Sequence, residues 1–213
     1  MESQVRGGTR WKRFAVVMVP SVAATACIGV ALAQGALAAS FSVSGQEFKV
    51  SAGKLVGHGM TQYGALDSGK SLSGESQKHP VAVSAFNTAE ITKLCQSVVT
   101  PIPGFGNVTL KLTAGDKGKD VRAEQLYIDT SVLDSSNAVF EDIDIGVPVG
   151  SANRGPKPKP EEGGSPFAFA QQAKTATLTD VHQTSWATTA ATFTLTNLHM
   201  DLSLGKGEGI ECY

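Results

Sequence analysis

Asn107-Val-Thr-Leu-Lys-Leu-Thr113 alternates strictly, with Val108, Leu110 and Leu112 on one parity and Asn107, Thr109, Lys111 and Thr113 on the other. Residues two apart share a face of an extended chain, so this stretch is a half-buried antiparallel strand. The neighbouring sequence repeats the theme. Phe41 and Val43 precede Gly45, and Phe48 and Val50 follow it on the opposite parity, which predicts a turn or bulge at the glycine. From Val139 to Val147 the apolar residues Val139, Ile143, Ile145 and Val147 share one parity, while Asp142 and Asp144 face the other way. An all-β fold follows, either an antiparallel sandwich or an elongated curved sheet.

A short pattern recurs along the chain with Asp or Asn in third place: Phe140-Glu-Asp142, Leu178-Thr-Asp180 and Leu195-Thr-Asn197. After Asn197 the apolar parity changes, with Leu198, Met200, Leu202 and Leu204 now in phase. A strand bulge repeated along a sheet accounts for both observations. The intervals of 38 and 17 residues are too irregular for a solenoid. Residues 146–166 carry five prolines and several glycines and read as an exposed loop with polyproline character. Ser165 and Pro166 then suit the cap and first position of one short helix running to Lys174.

The first 38 residues have the order that an export machinery reads. Arg6, Arg10, Lys12 and Arg13 precede an uncharged apolar run from Phe14 to Ala33, and Ala36-Leu37-Ala38 is a small-x-small cleavage site. A run of that length also suffices to cross a bilayer, so the segment is either a cleaved signal peptide or a retained anchor. In both cases residues 39–213 form one extracytoplasmic domain, secreted or tethered to the cell membrane. Cys27 lacks the preceding leucine of a lipoprotein site.

Four basic residues and Glu2 lie in that leader. The remainder holds 14 Lys plus Arg against 18 Asp plus Glu, a net charge of -4, without basic runs. This balance argues against nucleic acid as a partner. Only Cys95 and Cys212 remain beyond the leader, and an oxidising compartment makes one disulfide between them the default expectation.

Gly64-Ala-Leu-Asp-Ser-Gly69-Lys70-Ser71 satisfies the pattern of a phosphate-binding loop. Its context does not: no strong buried strand precedes it, and Gly74 and Pro80 interrupt any following helix. A flexible glycine and serine loop is expected there, and no nucleotide. No serine is flanked by the glycines of a G-x-S-x-G nucleophile elbow. The remaining catalytic candidates are Asp180 with His182 and His199 with Asp201, two residues apart on predicted strands and so able to form orienting pairs. Asp142 and Asp144 lack the D-x-D-x-D-G loop of a calcium site, and zinc spacings are missing, so neither a metal nor a cofactor is expected. Trp186 reads as a core anchor or as an exposed aromatic for an apolar or sugar ligand.

Several segments together resemble a known group: Ser40-Phe-Ser-Val-Ser-Gly-Gln-Glu-Phe-Lys-Val50, Leu94-Cys-Gln-Ser-Val-Val-Thr-Pro101, Ala176-Thr-Leu-Thr-Asp-Val181, Trp186-Ala-Thr-Thr-Ala190 and Glu211-Cys-Tyr213. They are similar to a family of exported actinobacterial proteins, chiefly from Streptomyces, often labelled cholesterol esterase. The resemblance covers nearly the whole chain and brings no catalytic residues with it. It implies a lipid-ester hydrolase as one reading. The residues favour another, a binding or structural β-domain presenting an apolar surface to lipid or a membrane partner. A third is a structural surface protein whose apolar faces are all internal.

Overall fold

The computed structural model describes residues 44–159 and 165–213. The leader, its cleavage site and Cys27 lie outside the described residues. The described residues form ten strands in one antiparallel sheet: β1 (Phe48–Lys70), β2 (Ser76–Thr92), β3 (Leu94–Ile102), β4 (Gly106–Ala114), β5 (Val121–Asp134), β6 (Asn137–Glu141), β7 (Asp144–Pro148), β8 (Phe169–Thr189), β9 (Thr192–Thr194) and β10 (His199–Leu204). This is the curved-sheet alternative, and its curvature is complete at the centre. Strand β1 pairs β2 on one edge and β8 on the other, while β5 pairs both β2 and β8. The four long strands therefore close on themselves, and one sheet face becomes an interior holding Met60, Phe86, Val121, Leu126 and Val181. Outside the ring, β3 prolongs β2 along the edge of β1 and carries β4 and then β10 outward.

A strand can close so tightly only if its pleat is broken at intervals. Lys93, Gln125, Asp142, Asp180 and Asn197 all adopt left-handed backbone, with φ between 49° and 55°. The three Asp and Asn positions of the recurring sequence pattern are among them, but as pleat breaks and not as the expected bulges: the register is the same on both sides of Asp180 and of Asp142, Asn197 lies in a turn before β10, and the register shifts fall at Thr130 and between Ile145 and Val147. Each left-handed residue absorbs one step of the two-residue repeat. Buried partners consequently stand three apart, as in Ile91 and Leu94, Ala123 and Leu126, and Leu178 and Val181. The breaks also line up across strands, because the register places Gly53 opposite both Lys93 and Asp180. At Gly57 the interior is filled from the next strand: a Cβ there would lie 2.2 Å from the Phe86 ring.

Four further expectations need correction. Residues 165–174 form no helix: Ser165 Oγ accepts the Phe167 N–H and its carbonyl accepts the Ala168 N–H, giving a turn that leads into β8. Pairing of β8 with both β1 and β7 outweighs the helical propensity of the Ala and Gln residues. Residues 64–70 are the end of β1, paired with β2, and the loop is confined to the turn at Ser71–Gly74. The strand expected from Val139 to Val147 is split into β6 and β7 at left-handed Asp142.

The described part of the proline-rich segment, finally, packs back on the sheet. Val149, Ala152 and Pro156 are buried, Gln172 Oε1 accepts the Asn153 and Arg154 N–H groups, and Tyr127 donates its hydroxyl to the Lys157 carbonyl.

Candidate functional site

The alternation of β4 decides what its two faces meet. Odd-numbered residues of β1, β3 and β4 face the C-terminal tail. Cys95 is bridged to Cys212, Ser97 Oγ accepts the Cys212 N–H at 3.1 Å, Thr109 donates to the Gly205 carbonyl at 2.7 Å, and Lys111 donates to the Glu211 carbonyl at 3.1 Å. Lys49 completes the clamp with an ion pair to Glu211 at 2.8 Å. The hydrogen bond from Lys49, helped by the Gly207 N–H, holds the Glu211 carboxyl below the usual glutamate range despite its burial. Tyr213 then donates its hydroxyl to the Gln183 carbonyl. This face is sealed.

Even-numbered residues lie on the opposite side, which is the inner face of the ring continued outward. Val50 stands opposite Gln96, Gln96 opposite Leu112, and Leu112 opposite Met200. Leu110 and Leu202 form the next rung, and Val108 and Leu204 the one after. Met200, Leu202 and Leu204 are 55, 68 and 75% exposed. Where this face enters the ring it meets a narrow pocket with about 20 Å³ of room for water, walled by Val50, Leu55, Ile91, Leu126, Val181 and Phe193. Gln96 and Gln183 supply polar groups among the lining residues. That pocket is too small for an acyl chain, but an open apolar strip on a sheet face suits an elongated apolar ligand better than a compact polar one.

The four catalytic candidates do not converge. His182, Ser51, Cys95, Thr113 and His199 are successive register partners across β8, β1, β3, β4 and β10. Four inter-strand steps separate the two histidines by roughly 19 Å. Asp180 accepts a hydrogen bond from Ser136, while His182 packs against Tyr213 at 4.6 Å between ring centroids. Asp201 accepts from Ser203. Among the described residues neither histidine hydrogen-bonds a serine or its intended aspartate. Asp144 pairs with Arg154 at 3.1 Å, and no group of three or more His, Cys, Asp and Glu with metal-binding geometry occurs among the described residues.

A cluster that sequence reading missed sits elsewhere on the hairpin of β1 and β2. Buried Asp67 is the register partner of His79, whose ring stacks on Trp186 with centroids 3.5 Å apart. Asp67 Oδ2 and His79 Nε2 are both buried without a hydrogen-bond partner. Burial pushes the Asp67 carboxyl above the usual aspartate range, opposed by the charges of Lys159 and His79. Trp186 is half-buried and packs on a second small core around Tyr63, Val81 and Val83, which fits the anchor role. The signal was present in the odd parity of Tyr63, Ala65 and Asp67, hidden within a stretch rich in glycine and serine.

A model of a family of unknown function, DUF6230, matches residues 44–213, the span of the sheet and its C-terminal clamp. The chain belongs to this family. No curated protein and no solved structure matches the chain. In this DUF6230 domain the apolar strip along β4 and β10 stays open to solvent.

Proposed function

We propose that the chain is an exported binding domain that takes up the acyl chains of lipid along the strip formed by β3, β4 and β10. One observation carries this reading: the apolar inner face runs on past the closed ring, through Leu112 and Leu110 to Met200, Leu202 and Leu204, and is left open while the opposite face is clamped by the tail. Burying apolar surface is worth about 25 cal/mol per Å², so an open strip of this kind favours an apolar partner. The leader supports placement outside the cytoplasm, either released or held at the membrane where such lipids lie. A purely structural role sits poorly with side chains as exposed as Leu204 in a single chain. A hydrolase role finds no support in the dispersed Asp and His pairs.

Mass spectrometry of protein purified from its native envelope or medium, first under native and then under denaturing conditions, tests the proposal. A lipid adduct lost on denaturation is expected. Protein that arrives without lipid and takes none up on incubation with phospholipid contradicts it. The denatured mass also reads leader cleavage and the disulfide.

A further inference from the structure

We propose that the free edge of β10 pairs with β10 of a second copy of this chain, antiparallel and centred on Met200. Strand β10 ends the sheet, and among the described residues nothing pairs with its outer edge. The Gly205 N–H donates to the Asn107 carbonyl of β4, so odd-numbered residues of β10 bond inward. By the antiparallel alternation, the N–H and C=O groups of Met200 and Leu202 point outward. His199–Leu204 contains neither proline nor lysine, the residues that ordinarily blunt an edge against pairing.

Side chains select the register. Centring on Met200 sets Met200 opposite its own copy, bonding through outward backbone groups, and Leu202 opposite Leu198, the residue that immediately precedes β10 in the second chain. His199 then stands opposite Asp201 of the second copy, twice by symmetry, in the closer non-hydrogen-bonded positions where imidazole can donate to carboxylate. Moving the centre to Asp201 instead sets two carboxylates face to face. An edge that matches its own charge pattern in one register marks a second copy as its occupant, in the self-complementary manner of a two-fold interface. This also gives His199 and Asp201, which form no site within one chain, a shared task. Both apolar strips then lie on the same side of a six-stranded sheet. The pairing itself does not depend on lipid being the ligand.

The full-length chain carrying Met200→Cys, compared with the same chain carrying Val132→Cys on β5, tests the pairing on non-reducing gels after mild oxidation. The proposal expects Met200→Cys to migrate mainly at twice the chain mass and Val132→Cys at the chain mass. Equal behaviour of the two, in either direction, overturns it. In sedimentation, His199→Asp should weaken dimerisation by about tenfold and His199→Asp with Asp201→His should restore it. No loss, or loss without restoration, also overturns the pairing. Lipid uptake measured on the same samples separates this outcome from failure of the lipid reading.

Discussion

Leu112 of β4 and Met200 of β10 face each other on the side of the sheet that, two strands inward, carries core residue Val50. The inner face of the ring thus extends beyond the ring. What is core at Val50 becomes an open apolar surface at Met200, with Gln96 at the transition. A fold that merely needed to be stable gains nothing from carrying leucines so far out on an edge strand, which is why this relationship anchors the functional reading.

The clamp on the opposite face should be a major source of stability. The bridge from Cys95 to Cys212 spans 117 residues. In the chain-entropy model a loop of that size contributes about 4 to 5 kcal/mol. Cys212→Ser is expected to lose most of this in urea unfolding and to free the tail, so that Tyr213 no longer packs against His182. Unfolding midpoints that match those of the oxidised parent would contradict the clamp.

Glu211 gives that clamp a pH signature. Its carboxyl is held below its ordinary 4.5 in the fold, chiefly by Lys49, so the ionised form is the stabilising one. The contribution is complete at neutral pH, where it should amount to about 0.5 to 1 kcal/mol given the partial exposure of Lys49. It fades as pH falls below 4.5 through the folded value. Glu211→Gln should therefore be less stable than the parent at pH 7 and indistinguishable from it in strong acid. A stability difference constant with pH would refute the assignment.

Asp67 has the opposite sign. Burial raises its carboxyl above the ordinary 3.8, so the fold favours the neutral form, and ionisation as pH rises through the folded value is destabilising. Asp67→Asn is expected to gain about 1 kcal/mol at pH 7 and to lose that advantage below 3.8. Loss of stability at neutral pH would show instead that the charge next to His79 and Lys159 is favourable.

The left-handed residues predict a contrast between glycine and valine. Exposed Gln125 has φ 49°, where a side chain costs about 1 to 2 kcal/mol. Gln125→Gly should leave stability unchanged or improve it by up to ~1 kcal/mol, whereas Gln125→Val should lower it by about 2 kcal/mol. Thermal unfolding of the pair decides the matter, and equal effects would mean that position 125 is not left-handed.

Much of this fold was legible locally. The alternation from Asn107 to Thr113 marked β4 and both its faces, and Asp142, Asp180 and Asn197 marked three of the pleat breaks because Asp and Asn tolerate left-handed backbone. Lys93 and Gln125 escaped because nothing in their side chains prefers it. The phase of Met200, Leu202 and Leu204 exposed the apolar strip, although the sequence alone did not say that it stays open. Closure of β1 on β8 joins residues more than 100 positions apart, such as His58 and Thr175, and has no local signature. The same pairing turned an Ala- and Gln-rich segment after Ser165 from helix to strand. Asp67 and His79 meet only because the hairpin register sets them opposite each other, and two residues twelve apart in a loop-like composition give no hint of it.

The decisive experiment is uptake of a fluorescent fatty acid by delipidated protein, comparing the parent with Leu110→Gln/Leu202→Gln, which makes the rung polar without setting like charges opposite each other. Saturable binding by the parent and at least about tenfold weaker binding by the variant are expected, with little change in unfolding because both leucines are exposed. No binding by the parent, or equal binding by both, would contradict the lipid reading.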